Sequence, residues 1–210
     1  MKIDLLQLWK NSWVATEKER KEYDLSTSDS WRVAAARTRN PEDKDWWFTN
    51  GYKFLANWVE WREENDHLQI YKLPSGQPAI ELDMTPEING VTVKMSIDRV
   101  MWNDDRKEAI IIDLKTGKNT PTSGLQLGFY AYGMRKVHGV DIKRGYYWNA
   151  RRMELSEPFD LAAYSDSKIE TLVTMFEKAR QENIFMPNFN HCVMCGYKDI
   201  CEWNNKETNE

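Results

Sequence analysis

The chain has 210 residues, of which 41% are hydrophobic and 12% aromatic, enough for one compact core and at most two domains. Its 29 Lys and Arg against 33 Asp and Glu give a net charge of -4, which excludes a global pull on nucleic acid and leaves any such contact to local patches. There is no apolar run of about 18 residues and no secretory signal pattern, so the expectation is a cytoplasmic protein with no membrane partner. Three cysteines clustered between positions 192 and 201 argue against a disulfide framework and raise metal binding instead.

The first segment, DLLQLWKNSWVATEKERKEY, spaces Leu5, Leu8, Trp9 and Trp13 at helical intervals. SDSWRVAAARTRNPEDKD mixes a short helical piece with a polar break at Pro41, and WWFTNGYKFLANWVEWREEN returns to a helical period through Phe48, Tyr52, Leu55 and Trp58. From Leu68 the pattern is that of strands broken by the turn compositions LPSGQP and PEINGV. AIELDM, VTVKMSIDRVMW and AIIIDLKTG are successive strand candidates. PTSGLQLGFYAYGMRKVHG reads as a helix with Thr122 or Ser123 as N-cap and Gly139 past its end. RGYYWNARRMEL is a further strand, and SDSKIETLVTMFEKARQEN a helix opened by a capping box from Ser167 to Glu170. The fold expected is α/β, a mixed sheet flanked by helices in one domain over 1–210, with a helical part to about residue 65 and a cysteine-bearing tail from about 187.

The chemistry lies in two adjacent strands. If VTVKMSIDRVMW and AIIIDLKTG form a hairpin closed by NDDRKE, residues 103–108, a symmetric register sets Trp102 against Ala109 and Asp98 against Asp113. Directly opposed residues lie about 4.5–5.5 Å apart, so two carboxylates would share one small space, and the period of two puts Lys115 on the face of Asp113. A divalent cation relieves that repulsion, because Mg²⁺ takes oxygen ligands from one or two carboxylates and keeps positions for water and phosphate. The arrangement suits phosphodiester hydrolysis, with Lys115 orienting the nucleophile or stabilising the transition state. The competing reading of the same spacing is a hairpin whose charges face water in an ordinary ion pair.

In their order, SIDRV, IIDLKTG and LQLGFYAYG resemble the RecB-like branch of the PD-(D/E)XK nuclease superfamily over roughly Ala79 to Cys201, with a restriction-endonuclease-like sheet implied. The resemblance assigns catalytic roles to Asp98, Asp113, Lys115, Gln126 and Tyr130, the last two sharing one helix face at i and i+4. It implies Mg²⁺ or Mn²⁺ held by Asp98, Asp113 and the Leu114 main-chain carbonyl, with Glu81 as a further acidic group and Asp83 its rival. Many relatives also carry a histidine about four residues after a glycine on the preceding helix. Here Leu55 follows Gly51 at that spacing.

Cys192, Cys195 and Cys201 are similar to the three-cysteine tail of RecB-like nucleases, CRISPR-associated ones among them, that hold a [4Fe-4S] cluster. The fourth cysteine of that pattern is missing, so the alternatives are a cluster completed by His191 or another ligand, a zinc site of the three cysteines with His191, or reduced thiols. The resemblance further implies DNA as substrate, single-stranded or with free ends, an exonuclease in recombination, repair or a phage or CRISPR process, and a helicase or recombination partner. Arg144, Arg151 and Arg152 beside an aromatic strand are the expected DNA contacts. GKNT after Lys115 lacks the upstream glycine of a phosphate-binding loop, which excludes a nucleotide triphosphatase. The alternative function is a noncatalytic DNA-binding or partner-binding module on the same fold.

Overall fold

The computed structural model describes residues 4–22, 42–184, 188, 195, 200 and 201. Helix α1 (Leu5–Glu22) packs on α2 (Lys44–Glu64) through tryptophans, with Trp9 and Trp13 in ring contact with Phe48 and Trp9 Nε1 donating to the Phe48 carbonyl. Gly51 is what lets the helices meet, because a Cβ there would stand 2.5 Å from the Trp9 ring. Asp43 caps α2 by accepting from Trp46 N at 2.8 Å.

The strands are β1 (Leu68–Ile70), β2 (Ile80–Met84), β3 (Glu87–Ile88), β4 (Val91–Thr92), β5 (Met95–Asn103), β6 (Glu108–Lys115), β7 (Arg144–Asn149), β8 (Glu154–Leu155) and β9 (Phe159–Asp160). The main sheet runs β1-β5-β6-β7-β8, with β2 also on β5 and β9 also on β7, and β3 and β4 form a separate ribbon. β5 and β6 are antiparallel whereas β6 and β7 are parallel, so helix α3 (Leu125–His138) is the crossover that returns the chain over one face. Helix α4 (Asp166–Gln181) packs outside α3 on Tyr132 and Ile88 through Ile169 and Val173. The expected mixed sheet flanked by helices is what forms.

Both faces of the sheet are covered. Ile111, Val100 and Tyr147 pack under Leu127, Ala131 and Met134 of α3, and Ile110, Ile112, Met101 and Trp148 pack against Trp61 and Trp58 of α2. β6 is therefore buried through its middle, from Ile110 to Asp113, as its three isoleucines require.

Four local expectations change. The segment from Val91 divides into β4 and β5, and RGYYWNARRMEL divides into β7 and β8 around a turn in which Met153 adopts φ 53°. α3 starts at Leu125 with Gly124 as N-cap, not Thr122 or Ser123, because Phe159 lies 2.8 Å from where a Gly124 Cβ would be and the chain is pressed against it. Ser123 instead accepts from Leu125 N at 3.2 Å. α4 is capped by Ser165, whose Oγ accepts from Lys168 N, so the box from Ser167 does not form. Gly139 ends α3 in the left-handed region, φ 67°, as its position predicts.

Candidate active site

The hairpin takes the symmetric register. Trp102 faces Ala109 and the ladder continues to Arg99 against Ile112, one step short of Asp98 and Asp113. There β5 loses strict alternation, for Ile97 and Val100 both lie in the core under α3, where an unbroken period of two would separate them. Opposite the break, Glu81 on β2 has φ 45°, and its neighbours Ile80 and Leu82 pair with Arg99 and Ile97. A distorted strand pair beside a site is a common way to aim a side chain. Here Asp98 Oδ2 turns across to accept from Leu114 N at 2.6 Å.

Asp113, Lys115 and Gln126 close a ring of polar contacts. Gln126 Nε2 donates to Asp113 Oδ1 at 3.1 Å, Lys115 Nζ donates to Gln126 Oε1 at 3.1 Å, and Lys115 Nζ lies 2.6 Å from Asp113 Oδ2. The lysine approaches Oδ2 off the direction of a hydrogen bond, so this buried oxygen keeps an ion pair but no hydrogen-bond partner. Gln126 Nε2 also contacts the Tyr130 hydroxyl at 2.8 Å, joining the second polar residue of the helix face to the ring. The contacts fix the Gln126 amide, its oxygen toward the ammonium and its nitrogen toward the carboxylate.

Asp113 is 2% exposed, and burial pushes its carboxyl above the usual carboxylate range against the opposing pull of Lys115. Burial likewise raises Tyr130, and it raises Tyr147 to about 12. Tyr147, the parallel-strand partner of Asp113, lays its ring 5.4 Å from Lys115 Nζ and donates its hydroxyl to the Ser123 carbonyl at 2.9 Å. It supports both the lysine and the entry to α3. The sequence pattern marks this tyrosine only as part of an aromatic strand, so its role beneath Lys115 had no signal of its own.

The donor set fits a hard divalent cation. Asp98 and Asp113 stand at one end of the hairpin, and Asp113 Oδ2 is a buried carboxylate oxygen with no hydrogen-bond partner beside its ion pair to Lys115, of the kind a cation also satisfies. Among the described residues no three His, Cys, Asp or Glu side chains converge, so the carboxylate supply is two. Glu81 is exposed on the neighbouring strand, and Asp83 pairs with Ser96 farther along.

The arginines are placed differently. Arg144 lies at the opposite end of β6, paired with Ile110 and bonded to Glu108 at 2.5 Å. Arg151 is half-buried and bound bidentately by Glu42, at 2.9 Å for each contact. Arg152 is exposed, reaching Glu154 and the Lys118 carbonyl. Cys195 and Cys201 are free and partly exposed, while Cys192 and His191 fall outside the described residues. No helix among the described residues is long and apolar enough to cross a membrane.

The model of the PD-(D/E)XK nuclease superfamily matches residues 4–202. Two curated relatives are each called Gene 69 protein. That of Mycobacterium phage D29 is 29% identical over 161 residues, 73% of this chain and 58% of its own length. That of Mycobacterium phage L5 is 26% identical over 170 residues, 78% and 56% respectively. The chain thus spans less than three-fifths of the curated relatives it matches. Among solved structures, the crystal structure of SSO0001 aligns with 91% of this chain and 80% of its own at TM-score 0.43 and 18% identity.

Proposed function

Because this chain belongs to the PD-(D/E)XK nuclease superfamily, we propose that it is a metal-dependent DNA nuclease of the RecB-like branch, acting as an exonuclease on strands with free ends. The observation that carries this is the closed ring of Asp113, Gln126 and Lys115 beside Asp98, since it gathers the ordered motif residues at one point. Mg²⁺ or Mn²⁺ would be held by Asp98, Asp113 and the Leu114 carbonyl, with Glu81 exposed outside that pair, and when bound would supply an acidified water and charge for the phosphate.

The chain's own residues do the rest. Lys115 carries a positive charge at the mouth of a largely buried carboxylate site, where it orients an attacking water and offsets charge that develops on the phosphate. Gln126 holds the lysine and Asp113 in mutual register by bonding both, and Tyr130 steadies Gln126. Burial of Asp113 keeps solvent from that oxygen and preserves it for a cation. Arg152, on the turn after β7, and Lys118, on the loop beyond Lys115, are exposed and are proposed to meet DNA phosphates, whereas Arg151 is half-buried in a bidentate pair with Glu42 and Arg144 is bonded to Glu108 at the far end of β6.

The tail cysteines, Cys192, Cys195 and Cys201, are proposed ligands of a [4Fe-4S] cluster, with zinc or reduced thiols the other outcomes. Visible absorption of anaerobically purified protein marks the cluster, and metal analysis separates zinc from reduced thiols. The wider role, in recombination, repair or a phage or CRISPR process with a helicase or recombination partner, follows from the resemblance.

The test is cleavage of end-labelled linear and closed circular DNA with Mg²⁺ or Mn²⁺. Loss of cleavage in Asp113→Ala and with a chelator, together with resistance of the circle, is the expected result. Undiminished activity in Asp113→Ala would overturn the assignment, and DNA binding without cleavage in either metal would replace it with a noncatalytic binding module.

A further inference from the structure

The segment that follows the site lysine is gripped at every carbonyl. Lys115 O accepts from Ala150 N at 2.9 Å, Thr116 O from Arg151 Nε at 2.5 Å, Gly117 O from Asn149 Nδ2 at 3.3 Å and Lys118 O from Arg152 Nη2 at 3.2 Å. Four consecutive acceptors thus meet four consecutive residues of the run 149–152. Asn149 is fully buried, and its Oδ1 turns back to accept from Arg151 N at 3.0 Å.

This cradle is fastened to the helical layer at two points, one of them Asn57 of α2, whose Nδ2 donates to the Ala150 carbonyl at 2.9 Å, and the other Glu42, just before α2. Glu42, 3% exposed, accepts two hydrogen bonds from Arg151 and lies 3.5 Å from Lys118 Nζ. The Arg151 guanidinium is faced by Trp46 at 4.8 Å, Phe54 at 5.4 Å and Trp47 at 5.6 Å, all from α2. Only arginine can stack on these rings, fork onto a carboxylate and still offer Nε to a carbonyl. A buried ion pair is an expensive way to gain stability compared with an apolar contact, so its value lies in fixing one geometry.

We propose that Arg151 and Glu42 are positioning residues of the active site: together they hold the Thr116 carbonyl and so set the chain leaving β6 in the position that keeps Lys115 on Asp113 and Gln126. The proposal rests on the nuclease reading, and it assigns Arg151 away from DNA. Its effect is on the chemical step, not on substrate affinity.

The experiment compares the parent with Arg151→Lys, Glu42→Gln and the double variant, each at a temperature well below its melting point. Single-turnover cleavage of labelled single-stranded DNA gives the rate, and fluorescence anisotropy in Ca²⁺ gives Kd. The expected result is a rate at least tenfold lower in each single variant, Kd within twofold of the parent, and a double variant no slower than the slower single. Hydrogen–deuterium exchange should quicken in the peptide covering 113–120 in both single variants. A weaker Kd at parental rate would overturn the proposal by making Arg151 a phosphate contact, and additive losses or parental rates would overturn it too. If the parent itself does not cleave, the nuclease reading fails. Exchange then tests the grip alone, with unchanged protection of 113–120 refuting it.

Discussion

Asp113 is held where a carboxylate is least comfortable. It is buried, one oxygen has no hydrogen-bond partner, and its carboxyl is pushed up despite the adjacent Lys115. An acid whose folded pKa is raised costs the fold stability at neutral pH, and that cost is relieved when the group is neutral. Asp113→Asn is therefore expected to stabilise the metal-free protein by about 1 kcal/mol, a rise of about 2–4 °C in Tm by calorimetry at pH 7, while abolishing cleavage. Mg²⁺ should raise the Tm of the parent and leave that of Asp113→Asn unchanged. The residues of the ring were legible from sequence because motif order and strand period both mark them. Glu42 and Asn149 were not, since their importance comes from meeting a loop distant in sequence, which neither period nor composition reports.

At the level of elements, α3 fits between the sheet and the 161–164 turn through its small residues. A Cβ on Gly128 would stand 2.4 Å from Tyr164 Cγ, and one on Gly133 would stand 2.5 Å from Met95 Sδ. Gly128→Ala gains about 1 kcal/mol of helix propensity but must displace a ring, so a net loss of about 1–3 kcal/mol is expected in urea unfolding. Because Gln126 is half a turn away, cleavage should fall as well, and a stabilised, fully active Gly128→Ala would contradict this packing. The hairpin register was legible because a short symmetric loop fixes it and a slip by one would turn Asp113 off its face. The break near Asp98 and the left-handed Glu81 were not, because a non-glycine residue announces no such conformation. The caps of α3 and α4 were misread for a related reason. Several Ser and Thr offer themselves at each start, and at α3 the close approach of Phe159, a tertiary effect, moves the cap to Gly124.

Across the whole molecule, two cores lie on either side of one sheet, and Glu42 with Arg151 is a polar tie between the helical layer and the loop beyond the site. The Arg151 hydrogen bonds hold the Glu42 carboxyl below its ordinary value of 4.5. Its charge thus contributes stability in full above pH 4.5, and the contribution is lost as pH falls through the lowered folded value. The stability gap between parent and Glu42→Gln, about 3 kcal/mol at pH 7, should therefore narrow on acidification in urea melts, and a gap independent of pH would contradict the tie. The fold class was legible from alternating segments of period 2 and 3.6, while the grip of β7 on the KTGK segment depends on a parallel pairing that only the assembled sheet reveals.

The role proposed for Lys115 is in the chemical step of a metal-dependent nuclease. Its most direct test is single-turnover cleavage of labelled DNA by Lys115→Met in saturating Mn²⁺, with Mn²⁺ and DNA affinities measured on the same protein. The account predicts both affinities within about threefold of the parent and a rate lower by about 10²–10³, the usual loss when one transition-state donor is removed. A Lys115→Met protein that cuts DNA at the parental rate would contradict it.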